Sequence, residues 1–148
     1  MEIKIFFVHL QCQRERIIMA EDYVSFETAK LLKEKGFDEG CRQYWYKGNL
    51  VFSRNEIWNR ELDNYEDKGW TAPTLQMAMK WLREKYNLHC YSNYDYVLKW
   101  YCEITSLKET VEYDYEEMKH YHPDKDNGFS SPEEACEAAI KYCLENLI

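Results

Sequence analysis

The chain has 148 residues, 45% of them hydrophobic and 16% aromatic, and a formal net charge of −8. That length suits one domain with a real core, and the hydrophobic content excludes a disordered tail. No apolar run approaches the roughly 18–20 residues of a membrane span, and no long basic stripe is present to meet a phosphate backbone, which disfavours nucleic acid as a partner.

In chain order, Ile3, Ile5 and Phe7 alternate with Glu2, Lys4 and Phe6 and run into Val8, the pattern of a short N-terminal strand. Ser25 is placed as an N-cap, and Phe26, Ala29, Leu31 and Leu32 form an apolar stripe behind it. Lys30, Lys33 and Lys35 crowd the end of that helix, where positive charge meets the dipole favourably. Gly36 stops it, with Phe37 placed to pack back on the last turn.

Two β-prone runs, Arg42 to Tyr46 and Leu50 to Ser53, flank Lys47-Gly48-Asn49, a turn of residues that tolerate positive φ. A hairpin is expected there. Residues 54–69 are charged and broken by Asn55, Asn59 and Asn64, so they read as a long connection with one helical turn, anchored by Ile57, Trp58 and Leu62.

The clearest helix lies between Trp70 and Asn87. Thr71 is expected as its N-cap, with Pro73 in the first turn. Leu75, Ala78, Met79, Leu82 and Tyr86 recur on one face, widened by Met77 and Trp81, and Asn87 is a left-handed stop. A second hairpin follows, Leu88 to Tyr91 and Tyr96 to Ile104, with Ser92-Asn93-Tyr94-Asp95 as its turn. Residues 113–121 are read as an edge strand and His122 to Gly128 as a turn. The last helix opens at Ser130 or Ser131 with Pro132 in its first turn. Cys136, Ala139, Ile140, Cys143, Leu144 and Leu147 form its buried face, while Glu137, Lys141 and Glu145 face water.

Ala29-Lys30-Leu31-Leu32-Lys33-Glu34-Lys35 and Met79-Lys80-Trp81-Leu82-Arg83-Glu84-Lys85 match at a shift of 50, and each precedes an expected hairpin. The predicted fold class is therefore α+β: an antiparallel sheet from two hairpins plus the N-terminal strand, covered by three helices, with an internal helix–hairpin repeat as one option. The chain reads as a single domain, 1–148, with candidate subunits 24–53 and 71–104 and a closing helix 131–147.

The candidate site is a metal cluster. His120, His122, Asp124 and Asp126 alternate and on an extended chain would offer two imidazoles and two carboxylates to a metal, against the plainer reading of a polar turn. The spacing does not fit a calcium loop, because counting back from Gly128 puts Pro123 at the first position. Six cysteines, at 12, 41, 90, 102, 136 and 143, include no C-x-x-C. Without a signal-peptide pattern at Met1 to Leu10 they read as reduced core thiols of a cytoplasmic protein. Cys90 beside His89 makes no dyad, since adjacent strand residues face opposite ways. His9 has no partner in view and reads as structural. No phosphate loop, G-x-S-x-G or H-E-x-x-H occurs, so no catalytic residue and no cofactor is assigned. Tyr44, Trp45, Tyr46, Tyr94, Tyr96, Trp100 and Tyr101 would form either a stacking platform or the packed face of a sheet.

The phrases A-K-L-L-K-E-K-G-F-D (Ala29 to Asp38), T-A-P-T…W-L-R-E-K (Thr71 to Lys85) and F-x-S-x-E-E-A…A-I-x-x-x-L-x-x-L (Phe129 to Leu147) resemble a group of small uncharacterised proteins of gut Bacteroides-type bacteria. These are often carried in prophages and mobile elements. The resemblance implies a cytoplasmic accessory protein and carries over no functional residue.

Charge separates the remaining options. Residues 109–148 carry 3 Lys/Arg against 11 Asp/Glu, whereas residues 1–54 carry 9 against 8. An acidic end suits a basic protein partner. The leading expectation is a non-enzymatic protein-binding or adaptor module, with self-association as a variant. The alternatives are a small metal-dependent enzyme built on the His120 to Asp126 cluster and an acidic inhibitor that mimics nucleic acid.

Overall fold

Helix α1 (Phe26–Glu34) starts where Ser25 turns extended and its Oγ accepts the Thr28 N–H at 3.3 Å. It ends on Gly36, whose φ of +86° only glycine adopts freely. There the Phe37 N–H reaches the Leu32 carbonyl and the Gly36 N–H reaches that of Lys33, which satisfies the last-turn acceptors and swings Phe37 into the core. The computed structural model describes residues 22–97, 99–108, 112–113 and 128–148. The strand expected over Ile3–Val8 and most of the segment expected over 113–121 lie outside them.

Strands β1 (Cys41–Tyr46) and β2 (Asn49–Ile57) form the first hairpin around Lys47 and Gly48. Both turn residues have positive φ, 48° and 76°, the backbone whose twist matches a right-handed β-ribbon. β2 runs four residues beyond the expected Ser53, so the first quarter of the connection expected over 54–69 is strand. A single turn, α2 (Asn59–Leu62), follows and buries Leu62.

The opening of the next helix corrects the sequence reading. Thr71 is not a cap; with Trp70 it forms strand β3 (Trp70–Thr71), paired to Tyr44 and Trp45 of β1. Helix α3 (Leu75–Tyr86) is capped three residues later by Thr74, whose Oγ1 accepts the Met77 N–H at 3.2 Å. Pro73 therefore lies before the cap. The helix stops at Asn87 in the left-handed region, φ 58°, as expected. Its inward stripe holds Leu75, Ala78, Met79, Trp81 and Leu82, all buried. Trp81 is clasped edge-on between Phe37 and Tyr86, at ring separations of 5.5 and 5.1 Å.

Strands β4 (Leu88–Asp95) and β5 (Lys99–Ser106) make the second hairpin, and β6 (Glu112–Tyr113) pairs with β5. Ser92 to Asp95 are not the turn. They pair with Lys99 to Cys102, and the chain reverses beyond them at Tyr96 and Val97, where the Asp95 Oδ1 accepts the Val97 N–H at 2.7 Å. Helix α4 (Pro132–Tyr142) is capped by Ser131, and a π-helical segment, Cys143–Leu147, continues it.

The described strands form two three-stranded antiparallel sheets, ordered β2-β1-β3 and β4-β5-β6, rather than one sheet shared by both hairpins. The cause is local supply: β3 takes the open side of β1 and β6 takes that of β5, so neither hairpin needs the other. The α+β class stands. Helix α4 packs on β4 and β5, α3 packs on β4, and α1 joins α4 to the first sheet through β3. The core between them is one continuous cluster that includes Leu32, Phe37, Leu82, Ile104, Ile140 and Leu144. No helix among the described residues is long and apolar enough to cross a membrane.

Candidate functional site: the groove between α1 and α4

Three helix starts meet on one side of the molecule. The segment Asp22 to Ser25 runs beside Pro73 to Leu75, tied by Val24 N–H to Pro73 carbonyl at 3.0 Å and Leu75 N–H to Asp22 carbonyl at 2.9 Å. This pairing puts the first turn of α1 next to that of α3. Phe129, whose N–H donates to the Trp100 carbonyl at 2.7 Å, brings the start of α4 to the same place.

The result is an open groove of about 440 Å³. Its floor is apolar: Leu75, Phe129 and Ala138, all buried. Its rim carries four carboxylates, Asp22, Glu133, Glu134 and Glu137, against the single ammonium of Lys141. Lys141 is itself paired with Glu27 of α1 at 2.9 Å, an exposed contact that holds the Glu27 carboxyl below its ordinary range through the hydrogen bond and the charge of Lys141.

The rim divides by role. Glu137 accepts from the Ser25 N–H at 3.1 Å and from the Thr28 hydroxyl at 2.5 Å, so it stitches α4 to the start of α1. Glu134 accepts from the Ser130 N–H and hydroxyl and locks the entry to α4. Asp22 and Glu133 make no ion pair among the described residues and stand exposed at the two banks. Glu137 and Lys141 are thus half-buried interhelical residues, where the helical pattern placed them facing water.

The sequence candidates fare differently. His120, His122, Asp124 and Asp126 lie outside the described residues, as do His9 and Cys12. Among the described residues no group of three or more His, Cys, Asp or Glu side chains could hold a metal ion. Cys41, Cys90, Cys102, Cys136 and Cys143 are free and buried, as core thiols should be. Burial pushes the Cys41 thiol up to about 12 and raises those of Cys102 and Cys136, so they stay protonated and unreactive. His89 turns away from Cys90 and stacks on Tyr91, with ring centroids 5.4 Å apart.

The aromatic residues do not build one platform, because they sit in two sheets. Trp45 packs edge-on to Phe26, and its indole N–H donates to the Val24 carbonyl at 3.1 Å, which helps position the groove segment. Tyr94 and Trp100 pair across the second hairpin at 5.2 Å, with Tyr96 exposed beyond them. No family model matches this chain, and no match was found among curated proteins or solved structures.

Proposed function

We propose that the protein is a non-enzymatic binding module that receives a basic segment of a protein partner in the α1–α4 groove. The observation that carries this reading is the pairing of an apolar floor with a carboxylate rim. Lysine and arginine have the complementary form, an aliphatic stem that packs on apolar surface and a cationic head that stays at the edge. Asp22 and Glu133, exposed on opposite banks, are the groups that would meet the head. Glu134 and Glu137 add to the field while Glu134 locks the entry to α4 and Glu137 stitches α4 to α1. The acidic balance of residues 109–148 supports the same sign of partner. An accessory or adaptor role in a mobile element, in the cytoplasm, fits the resemblance and belongs to the same proposal.

The test is calorimetric titration with two synthetic peptides of equal length, one alternating Arg and Leu and one alternating Glu and Leu. The basic peptide should bind, more weakly as salt is raised, and the acidic one should not. The double variant Asp22→Lys/Glu133→Lys, which alters two exposed side chains, should weaken binding about tenfold or more. Equal binding of both peptides, or unchanged binding by the double variant, would remove the groove from the mechanism.

A further inference from the structure

Four buried thiols lie on the elements that pack together where α4 meets the second sheet: Cys90 on β4, Cys102 on β5, and Cys136 and Cys143 on the last helical stretch. Of these, Cys90 and Cys143 have their sulfurs in direct contact, 3.6 Å apart, across 53 residues of chain. We propose that Cys90 and Cys143 are an oxidisable pair that closes to a disulfide, fastening the C-terminal helical segment to β4.

A disulfide sulfur–sulfur bond is about 2 Å long, so the two atoms need to approach by roughly 1.5 Å. Cys143 opens the π-helical segment Cys143–Leu147 that continues α4, where the regular ladder has already widened. The Asn146 side chain donates there to the Tyr142 carbonyl at 3.1 Å. This irregular turn is where a shift toward β4 is least costly. Cys90, by contrast, is fixed in a paired strand opposite Ile104.

The chemistry needs an oxidant, and hydrogen peroxide supplies it. One thiol takes oxygen from peroxide to give a sulfenic acid and water. The second thiol then displaces hydroxide from that sulfur; a second water leaves and the disulfide remains. Both thiols are buried, and the hydrogen bond between them together with burial raises the Cys90 thiol well above its ordinary value. The resting protein is therefore protected. Oxidation waits for the C-terminal segment to open, and its rate follows that opening.

The experiment uses the full chain, reduced and freed of reductant, then exposed to peroxide and digested without reduction. The expected result is a native protein that has lost two hydrogens in mass. A peptide joining Cys90 to Cys143 should exceed all other cysteine pairs combined, with a raised melting temperature that dithiothreitol restores. Cys143→Ala should abolish that peptide. Because the wild-type peptide map stands without any variant, failure of Cys143→Ala to fold leaves the test intact. Sulfinic acids in place of a cross-link, comparable yields of other cysteine pairs, or a cross-link formed only after global unfolding would each overturn the proposal.

Discussion

Asn59 and Thr71 are joined by a hydrogen bond of 2.9 Å, from the Thr71 backbone N–H to the Asn59 side-chain oxygen, at a place where Asn59 is only 4% exposed. The other end of the same carboxamide donates to the Phe37 carbonyl at 2.7 Å. One side chain thus closes β3 and the loop after α1 around itself. Its loss leaves two buried backbone groups without partners.

Asn59→Ala should therefore cost roughly 2–4 kcal/mol in urea unfolding, the sum of two unsatisfied groups. Asn59→Asp should be comparably damaging at neutral pH, since a carboxylate keeps the acceptor but faces the Phe37 carbonyl without a donor. Unlike the alanine variant it should recover in acid, where a protonated carboxyl can donate again. A loss of less than about 0.5 kcal/mol for Asn59→Ala would mean that water replaces the carboxamide.

Leu82 is fully buried at the centre of the α3 stripe. Leu82→Ala should destabilise by roughly 2–5 kcal/mol through lost burial and the cavity left behind. Chemical denaturation with an unchanged m-value would identify the loss as native-state packing. A near-neutral result would show that this face of α3 is not core.

Thr71 offers the opposite case. Its Oγ1 is buried and without a hydrogen-bond partner among the described residues. Thr71→Val keeps the shape and the strand preference and removes an unsatisfied group, so stability should hold or rise, by up to about 1 kcal/mol. A clear loss of stability would reveal a partner for the hydroxyl.

Two exposed pairs set the direction of the pH response. Lys141 lowers the Glu27 carboxyl and Lys47 lowers that of Asp67, each through a hydrogen bond and charge, while Asp67 in turn raises the Lys47 ammonium. A carboxyl lowered in the folded state adds stability that is present above its ordinary value and is lost as pH falls through the folded value. The raised ammonium adds stability below the ordinary lysine value that is lost as pH climbs through the folded one. Melting temperatures of Glu27→Gln should thus converge on wild type in strong acid and fall slightly below it near neutrality. Asp67→Asn should differ from wild type across the neutral range and converge at both extremes. Both effects should shrink with added salt, because the pairs are solvent-exposed.

How far the sequence speaks depends on the range of the interaction that decides each feature. Ser25, Gly36 with Phe37, Asn87, and Ser131 with Pro132 act within one helical turn, and all of them punctuate the chain as their chemistry predicts. Lys47-Gly48 is equally local. Thr71 and Thr74 are both competent caps by residue type; the choice falls to pairing with Tyr44 and Trp45, which lie almost thirty residues upstream, where context outweighs local preference. Ser92 to Asp95 carry turn chemistry but are held in strand by Lys99 to Cys102 opposite them. The groove is the least legible feature. Asp22 and Glu133 come from opposite ends of the chain, and only the packing of α1 on α4 makes them neighbours. The clue available in advance was the acidic excess of the C-terminal quarter, which shows sign but not place.

The clasp around Trp81 makes the protein its own optical probe. Of the five tryptophans, Trp81 alone is buried, at 7% exposure, while Trp45, Trp58, Trp70 and Trp100 are half-buried. Its emission belongs at the blue side of the spectrum, and the Tyr86 ring at 5.1 Å is close enough to pass excitation energy to it. Freeing α3 from Phe37 would shift that emission to the red. With the other four indoles replaced by phenylalanine, the colour of one residue would report whether the last two turns of α3 are docked.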